Sequence, residues 1–178
     1  DPEGTPLQAV LKAGPTHGTL ALNSNGSFNY IPTANFNGQD FFTYSANDGS
    51  LSSNDVTVQL TIQPVNDAPL AKNDSYSLTA GNTLTVPTAG ILSNDSDVDG
   101  DSLTSVIAIG PSHGVVTLGL GGGFSYTPNA GSAGTDSFTY VAEDGLLSSL
   151  PATVSLTVNP VIVSSTKFLV VDGTMRDT

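Results

Sequence analysis

The chain repeats itself at a long, fixed interval. GPTHGTLALNSNGSFNYIP (14–32) aligns with GPSHGVVTLGLGGGFSYTP (110–128), and FNGQDFFTYSANDG (36–49) aligns with SAGTDSFTYVAEDG (132–145). Gly14 and Gly110, His17 and His113, Phe28 and Phe124, and Asp48 and Asp144 are all 96 residues apart, with no insertion from end to end. Solenoid units are much shorter than this, so the period means tandem copies of a whole small domain. Asp1 corresponds to Asp97, so the first copy holds no counterpart of the stretch between Asn66-Asp67 and Asp97. The expected organisation is an N-terminally incomplete repeat over 1–64, a linker over 65–69, a complete repeat over 70–160 and a tail over 161–178.

Each copy reads as β-structure. In VTVQLTI (56–62), Val56, Val58, Leu60 and Ile62 share one face and Thr57, Gln59 and Thr61 the other; TVSLTV (153–158) does the same. The stretches beginning Phe42-Thr43-Tyr44 and Phe138-Thr139-Tyr140 keep their aromatics on one side. Period-2 patterning, abundant Thr and Val, and turns rich in Gly, Asn and Pro indicate short antiparallel strands. In the complete copy the strands are expected near 74–79, 83–87, 103–109, 115–119, 124–127, 136–142 and 152–158. That number and spacing fit an Ig-like sandwich. The fold class is therefore all-β: two tandem seven-strand Greek-key sandwiches, the first without its N-terminal strands, and a C-terminal β tail.

One segment concentrates acid. NDSDVDGD (94–101) places Asp95, Asp97, Asp99 and Asp101 on alternate positions beside Gly100. Ca²⁺ takes six to eight oxygen ligands in irregular geometry, so clustered carboxylates on a turn suit it. An EF-hand would use Asp95, Asp97, Asp99 and Gly100 as its first ligands and turn, but its closing Glu position is Val106 and its flanks are strands. In a Greek-key sandwich the loop between the second and third strands lies at the same end as the loop between the sixth and seventh. That brings DSDVDGD (95–101), AEDG (142–145) and the entering chain PVNDAP (64–69) together. Asp97, Asp99, Asp144, Asn66 and Asp67 are expected to converge there.

Composition limits the partners. Four basic against sixteen acidic residues give a net charge of −12. Nucleic acids and anionic membranes demand a positive surface, so neither is expected as a partner. No apolar run approaches the ~20 residues of a membrane span, and no signal peptide is visible, so the chain reads as mature or as a fragment, with no direct membrane insertion. There is no cysteine. A secreted domain without disulfides commonly uses metal as its staple. No Ser-His-Asp grouping accompanies a nucleophile turn, and the acids recur on turns, so the chain is not expected to be an enzyme.

Other features have structural readings. His17 and His113 each sit in a G-P-x-H-G turn with no second His nearby. Asp40 and Asp136 precede the sixth strand and are expected to cap that turn; the alternative for Asp40 is to reach the linker as a calcium ligand. Phe28, Tyr30, Phe42 and Tyr44 could form a sugar platform, but alternation assigns them to the core. NGS (25–27), NDS (73–75) and NDS (94–96) match glycosylation sequons. The tail reads as a strand, either opening a next domain or complementing another molecule's first copy.

SANDGSLSSNDVTVQLTIQPVNDAP (45–69) resembles the end of a cadherin repeat, with its A-x-D-G turn, L-S-S segment, alternating last strand and V-N-D linker closed by A-P. With the GPxHG turn and the FxGxDxFTYxAxDG block, residues 1–160 are similar to the bacterial cadherin-like repeats of large secreted and surface adhesins. The resemblance implies Ca²⁺ at repeat junctions, held by Asn66, Asp67, Asp97, Asp99, Asp101 and Asp144, with Asp95 as a further member. In the first copy, Asp1, Glu3 and Asp48 keep the pattern, while Thr5 replaces the counterpart of Asp101. Pro64 stands where the cadherin linker has its first Asp, so one or two ions per junction are expected. NPVIV (159–163) places Ile162 and Val163 where Asn66 and Asp67 stand, so the array is expected to end there. The implied role is a calcium-rigidified stalk or spacer of an extracellular, cell-surface adhesin or fibre. Its partners would be neighbouring repeats, homotypic fibre contacts, or a surface glycan or protein. The alternatives are a carbohydrate- or protein-binding module attached to a secreted enzyme, and a strand-donating filament subunit.

Overall fold

The structure, a computed structural model, describes residues 2–162 together with the backbone of 168–171 and 174–177. It divides into two compact units, Asp1–Asn66 and Asp67–Thr178. The chain is all-β, as its alternating pattern requires.

Unit 1 has five strands: β1 (Gln8–Ala13), β2 (Gly18–Leu22), β3 (Phe28–Pro32), β4 (Gly38–Asn47) and β5 (Val56–Ile62). They form a three-stranded sheet in the order β1-β4-β5 and a two-stranded sheet, β2-β3. The repeat of unit 2 has seven among the described residues: β6 (Asp74–Thr79), β7 (Leu84–Val86), β8 (Thr104–Ile109), β9 (Gly114–Leu118), β10 (Phe124–Pro128), β11 (Gly134–Glu143) and β12 (Ala152–Asn159). Their sheets run β7-β10-β9 and β6-β12-β11-β8. Each strand expected from the sequence is present, with small shifts at its ends. The tail strands β13 (Phe168–Val171) and β14 (Thr174–Asp177) pair antiparallel with each other.

One pairing departs from the antiparallel expectation. β6 runs parallel to β12, in register from Val154↔Asp74 to Asn159↔Thr79. Tight turns force neighbouring strands to alternate direction, but β6 and β12 are separated by the whole domain, so no turn dictates their sense.

The core of unit 2 follows from alternation. Asp136, Phe138, Tyr140 and Ala142 of β11 share the inward face, opposite Leu156 and Val154 of β12. Phe124 meets Phe138 edge to face at 5.4 Å and Tyr76 at 5.1 Å. Ile91, on a short 3₁₀ turn (Gly90–Leu92), is fully buried among them. Burying each large apolar side chain contributes about 1.5–3 kcal/mol. Gly114 closes the GPxHG turn because the Tyr126 ring lies over it: a Cβ there would sit 2.5 Å from that ring.

Unit 1 builds the same core incompletely. Phe42 is buried, yet Phe28 is 45% exposed where its counterpart Phe124 is 4% exposed. The sequence expectation that Phe28 is a core residue is therefore met only in unit 2's version of the position. Among the described residues nothing in unit 1 takes the place of β6 and β7.

Candidate metal centre

The aspartate loop of unit 2 organises itself with its own carboxylates. Asp97 Oδ1 accepts the backbone N–H of Asp99 at 2.8 Å and of Asp101 at 3.4 Å. Gly100, with φ of 81°, makes the turn that brings these amides round. Asp97 Oδ2 is left buried with no donor. A carboxylate oxygen in that position is a hard ligand whose desolvation is uncompensated by protein, the chemistry that suits an oxygen-seeking cation. Beside it lies a cleft of about 470 Å³ lined by Thr88, Asp95, Asp97, Asp101 and Leu103.

The start of unit 2 is zipped onto this loop. The Asp67 N–H donates to Asp99 Oδ2 at 2.8 Å. Leu70 and Ser96 exchange backbone hydrogen bonds at 2.8 and 3.1 Å. The Lys72 N–H donates to Asp95 Oδ1 at 2.8 Å. Asp99, Ser96 and Asp95 of the loop thus hold three points of the incoming chain. Asn66 is the last residue of unit 1 and Asp67 the first of unit 2.

Asp144 sits on the neighbouring loop. Its Oδ1 accepts the N–H of Leu146 at 2.6 Å and of Leu147 at 2.7 Å, which closes the A-x-D-G turn. The register Glu143↔Thr104 sets this turn at the sheet end where the aspartate loop enters β8. Asp48 does the same in unit 1, accepting from Ser50 and Leu51 at 2.7 Å each, and these amides lower its pKa. Glu3 is exposed, and Asp1 lies outside the described residues. Among the described residues no three acidic or histidine side chains converge closely enough to hold a metal ion. The donors are thus of the right type and the loop is formed, but the side chains stand apart.

Two of the expected ligands are placed differently. Asp95 faces inward: its two oxygens lie 3.1 and 2.9 Å from Tyr140 Oη, in addition to the Lys72 amide. The same hydroxyl lies 2.9 Å from Ile91 O, 3.1 Å from Lys72 O and 3.4 Å from Asp74 Oδ2. A phenol has one proton to donate, so this cluster is rich in acceptors. Burial, then the charge of Asp95, raises the Asp74 carboxyl to about 6, outweighing hydrogen bonds from Tyr140 and Asn94. Burial and the same carboxylates push the Tyr140 phenol up.

Asp40 takes a turn-holding role by side-chain hydrogen bonds, in line with the first of its two expected roles. It is buried within β4, where Oδ1 accepts the N–H of Thr16 and of Phe41, and Oδ2 accepts the N–H of His17 and the hydroxyl of Tyr30, all at 2.8–2.9 Å. With its oxygens filled by protein donors, it holds the GPTHG turn. Burial opposes its charge, but these donors together hold its pKa well below the usual carboxylate range. Asp136 repeats the arrangement with Ser112, His113, Ser137 and Tyr126. His17 and His113 belong to these turns, 3.8 and 3.7 Å from the carboxylates by Nδ1.

Asp74, and the pairings of Tyr140 with Asp74 and Asp95 and of Asp136 with Tyr126, were not foreseen from the sequence. Alternation could have found them. Asp136 shares a face with Phe138 and Tyr140, and Asp74 with Tyr76 and Leu78, which marks both acids as inward-facing.

Comparison with known proteins agrees with this architecture. Solved structures of similar fold include human mucin-like protocadherin EC1-2 (15% identity, 88% of this chain and 85% of that one, TM-score 0.54) and the protocadherin gammaB4 extracellular domain (20% identity, 86% and 27%, TM-score 0.56). They show the same β-sandwich fold. The endo-fucoidan hydrolase MfFcnA4 of glycoside hydrolase family 107 is 28% identical over 90% of this chain, with a TM-score of 0.39; the chain spans 24% of that protein's length. No curated protein matches the chain. The family model for the bacterial cadherin-like domain matches residues 1–64 and 66–160, so the chain belongs to that family. Among the described residues no helix is long and apolar enough to cross a membrane.

Proposed function

We propose that the chain is a calcium-rigidified spacer of an extracellular adhesin or surface fibre. Calcium is bound at the start of unit 2 by Asp97, Asp99 and Asp101 of the loop, Asp67 and Asn66 of the linker, and Asp144 of the neighbouring turn. The observation that carries this reading is the linker-to-loop zipper, in which Asp67 is held by Asp99 while Asp97 turns a buried, donorless oxygen to the same loop. The net charge of −12 adds to it, because self-repulsion of acids relaxes when a divalent cation is taken up. The ion would clamp acids that otherwise repel, stiffening the linker so that successive repeats transmit force along the array. Binding to the folded state alone also stabilises it by mass action. Calorimetric melting in calcium and in chelator tests the proposal. A higher melting temperature in calcium, lost in Asp97→Asn, supports it; identical curves reject it.

A further inference from the structure

Phe36 and Ser132 hold the same place in the two repeats, 96 residues apart, and differ in size. The frame around them is shared. In unit 1 the Thr33 N–H donates to His17 O at 2.8 Å and the Phe36 N–H to Thr33 O at 3.1 Å. In unit 2 the Asn129 N–H donates to His113 O at 2.8 Å and the Ser132 N–H to Asn129 O at 3.0 Å. Each histidine N–H is held in turn by the buried carboxylate, Asp40 or Asp136, at 2.9 Å. In unit 1 this frame lays the Phe36 ring flat on the His17 ring, with centroids 4.2 Å apart and planes 5° from parallel.

Unit 2 keeps the frame and leaves the ring's place open. Ser132 stands where unit 1 has Phe36, and both neighbours shrink with it: Gly131 stands for Asn35 and Ala133 for Asn37. The result is a cavity of about 180 Å³ lined by His113, Gly131, Ser132, Gly134, Thr135 and Val158. A cavity on the order of 150 Å³ accepts a benzene ring, so this one has room for an aromatic side chain. The His113 side chain is 65% exposed, against 51% for His17. β11 begins at Gly134 and β12 ends at Asn159, so the cavity lies at the end of unit 2 away from the Asp144 turn. Asp136 also borders it, but its oxygens already accept from the Ser112, His113 and Ser137 amides and the Tyr126 hydroxyl. What the cavity offers a ligand is the flat imidazole face of His113 beside the apolar Val158.

We infer that this cavity is a docking site for a phenylalanine side chain presented by a partner protein. The incoming ring stacks on His113 as Phe36 stacks on His17, with Val158 as its apolar wall. Gly131 and Gly134, at φ of 77° and 103°, border open space, so the rim carries no side chain at either position. The occupant is an aromatic ring and not a sugar for two reasons. The group that fills the equivalent place in unit 1 is a phenyl ring, and the carboxylate that would best hold a sugar hydroxyl is already taken by four protein donors. The described tail strands are paired with each other, so the ring is assigned to a partner.

The probe is N-acetylphenylalanine amide, titrated into the full chain and followed by proton NMR. The chain has two histidines, so the imidazole signals read both places at once. The His113 signals move upfield and saturate, because a stacked ring shields the protons beneath it, while those of His17, already covered by Phe36, stay where they are. Ser132→Phe fills the cavity from within: its His113 signals lie upfield before any probe is added, and the response to the probe is lost. Phe36→Ser opens the equivalent place in unit 1, and His17 then responds as well. The inference is overturned by an unmoved His113 up to the solubility of the probe, by equal shifts at both histidines of the native chain, by an unaltered response in Ser132→Phe, or by an unresponsive His17 in Phe36→Ser. A methyl glycoside that shifts His113 where the probe does not, or an aromatic contact to His113 already present in the free chain, overturns it equally.

Discussion

Replacing Asp74 with Asn tests the acceptor-rich cluster around Tyr140. In the native protein the Tyr140 hydroxyl faces Ile91 O, Lys72 O, both Asp95 oxygens and Asp74 Oδ2 with a single proton. Folding therefore favours protonated Asp74, whose pKa rises from 3.8 to about 6. The sign follows: the cluster is most stable below pH ~4, loses stability as pH climbs between those two values, and is fully penalised above pH 6. The full rise corresponds to roughly 3 kcal/mol, which screening at this partly open site reduces to about 1–2 kcal/mol. Asn keeps an acceptor for the Asn94 amide and turns donors toward Tyr140 and Asp95. In chelator, Asp74→Asn should be more stable than the native chain by about 1–2 kcal/mol at pH 7 and equal to it near pH 4, measured by urea unfolding. A variant that is less stable at pH 7, or whose difference from the native chain does not change with pH, refutes the reasoning.

Further perturbations give distinct outcomes. Asp136→Ala removes the acceptor for three amides and the Tyr126 hydroxyl, and should cost about 3–5 kcal/mol in chemical denaturation. Burial works against the Asp136 charge, but Tyr126 and the amides prevail and lower its pKa, so its contribution is present above pH ~4 and lost as pH falls further, opposite in sense to Asp74. Gly114→Ala forces a methyl to within 2.5 Å of the Tyr126 ring and should destabilise unit 2 by about 1–3 kcal/mol, read as a drop in melting temperature. Asp97→Asn keeps the acceptor for the Asp99 amide, so stability in chelator should stay within about 0.5 kcal/mol of the native chain while the gain in calcium disappears.

The strands were readable because alternation and turn residues repeat twice in one chain, and the repeat cross-checks each assignment. Val154 and Val58 mark the same strand twice. The parallel β6–β12 pairing was not readable, since no turn joins those strands and both directions bury the same face. The candidate metal centre was legible as a composition, and its link to the linker is the Asp67 N–H donated to Asp99 Oδ2. What the sequence hides is where each carboxylate points. Asp95 and Asp97 are two residues apart on one turn, yet the first is drawn in by Tyr140, a partner 45 residues away. Asp40 looks like a turn acid until its register with Phe42 and Tyr44 is followed to the inward face. Phe28 shows the reverse: its pattern says core, but burial needs a neighbouring strand that unit 1 does not hold among its described residues.

Isothermal titration of the chelated full chain with Ca²⁺ measures the central claim most directly. The account predicts saturable binding of on the order of one or two ions, abolished when Asp97 and Asp99 are both changed to Asn. At a hundredfold excess over the dissociation constant, that binding should add about 2.7 kcal/mol of stability. No saturable heat, together with superimposable melting curves in calcium and in chelator, would contradict it.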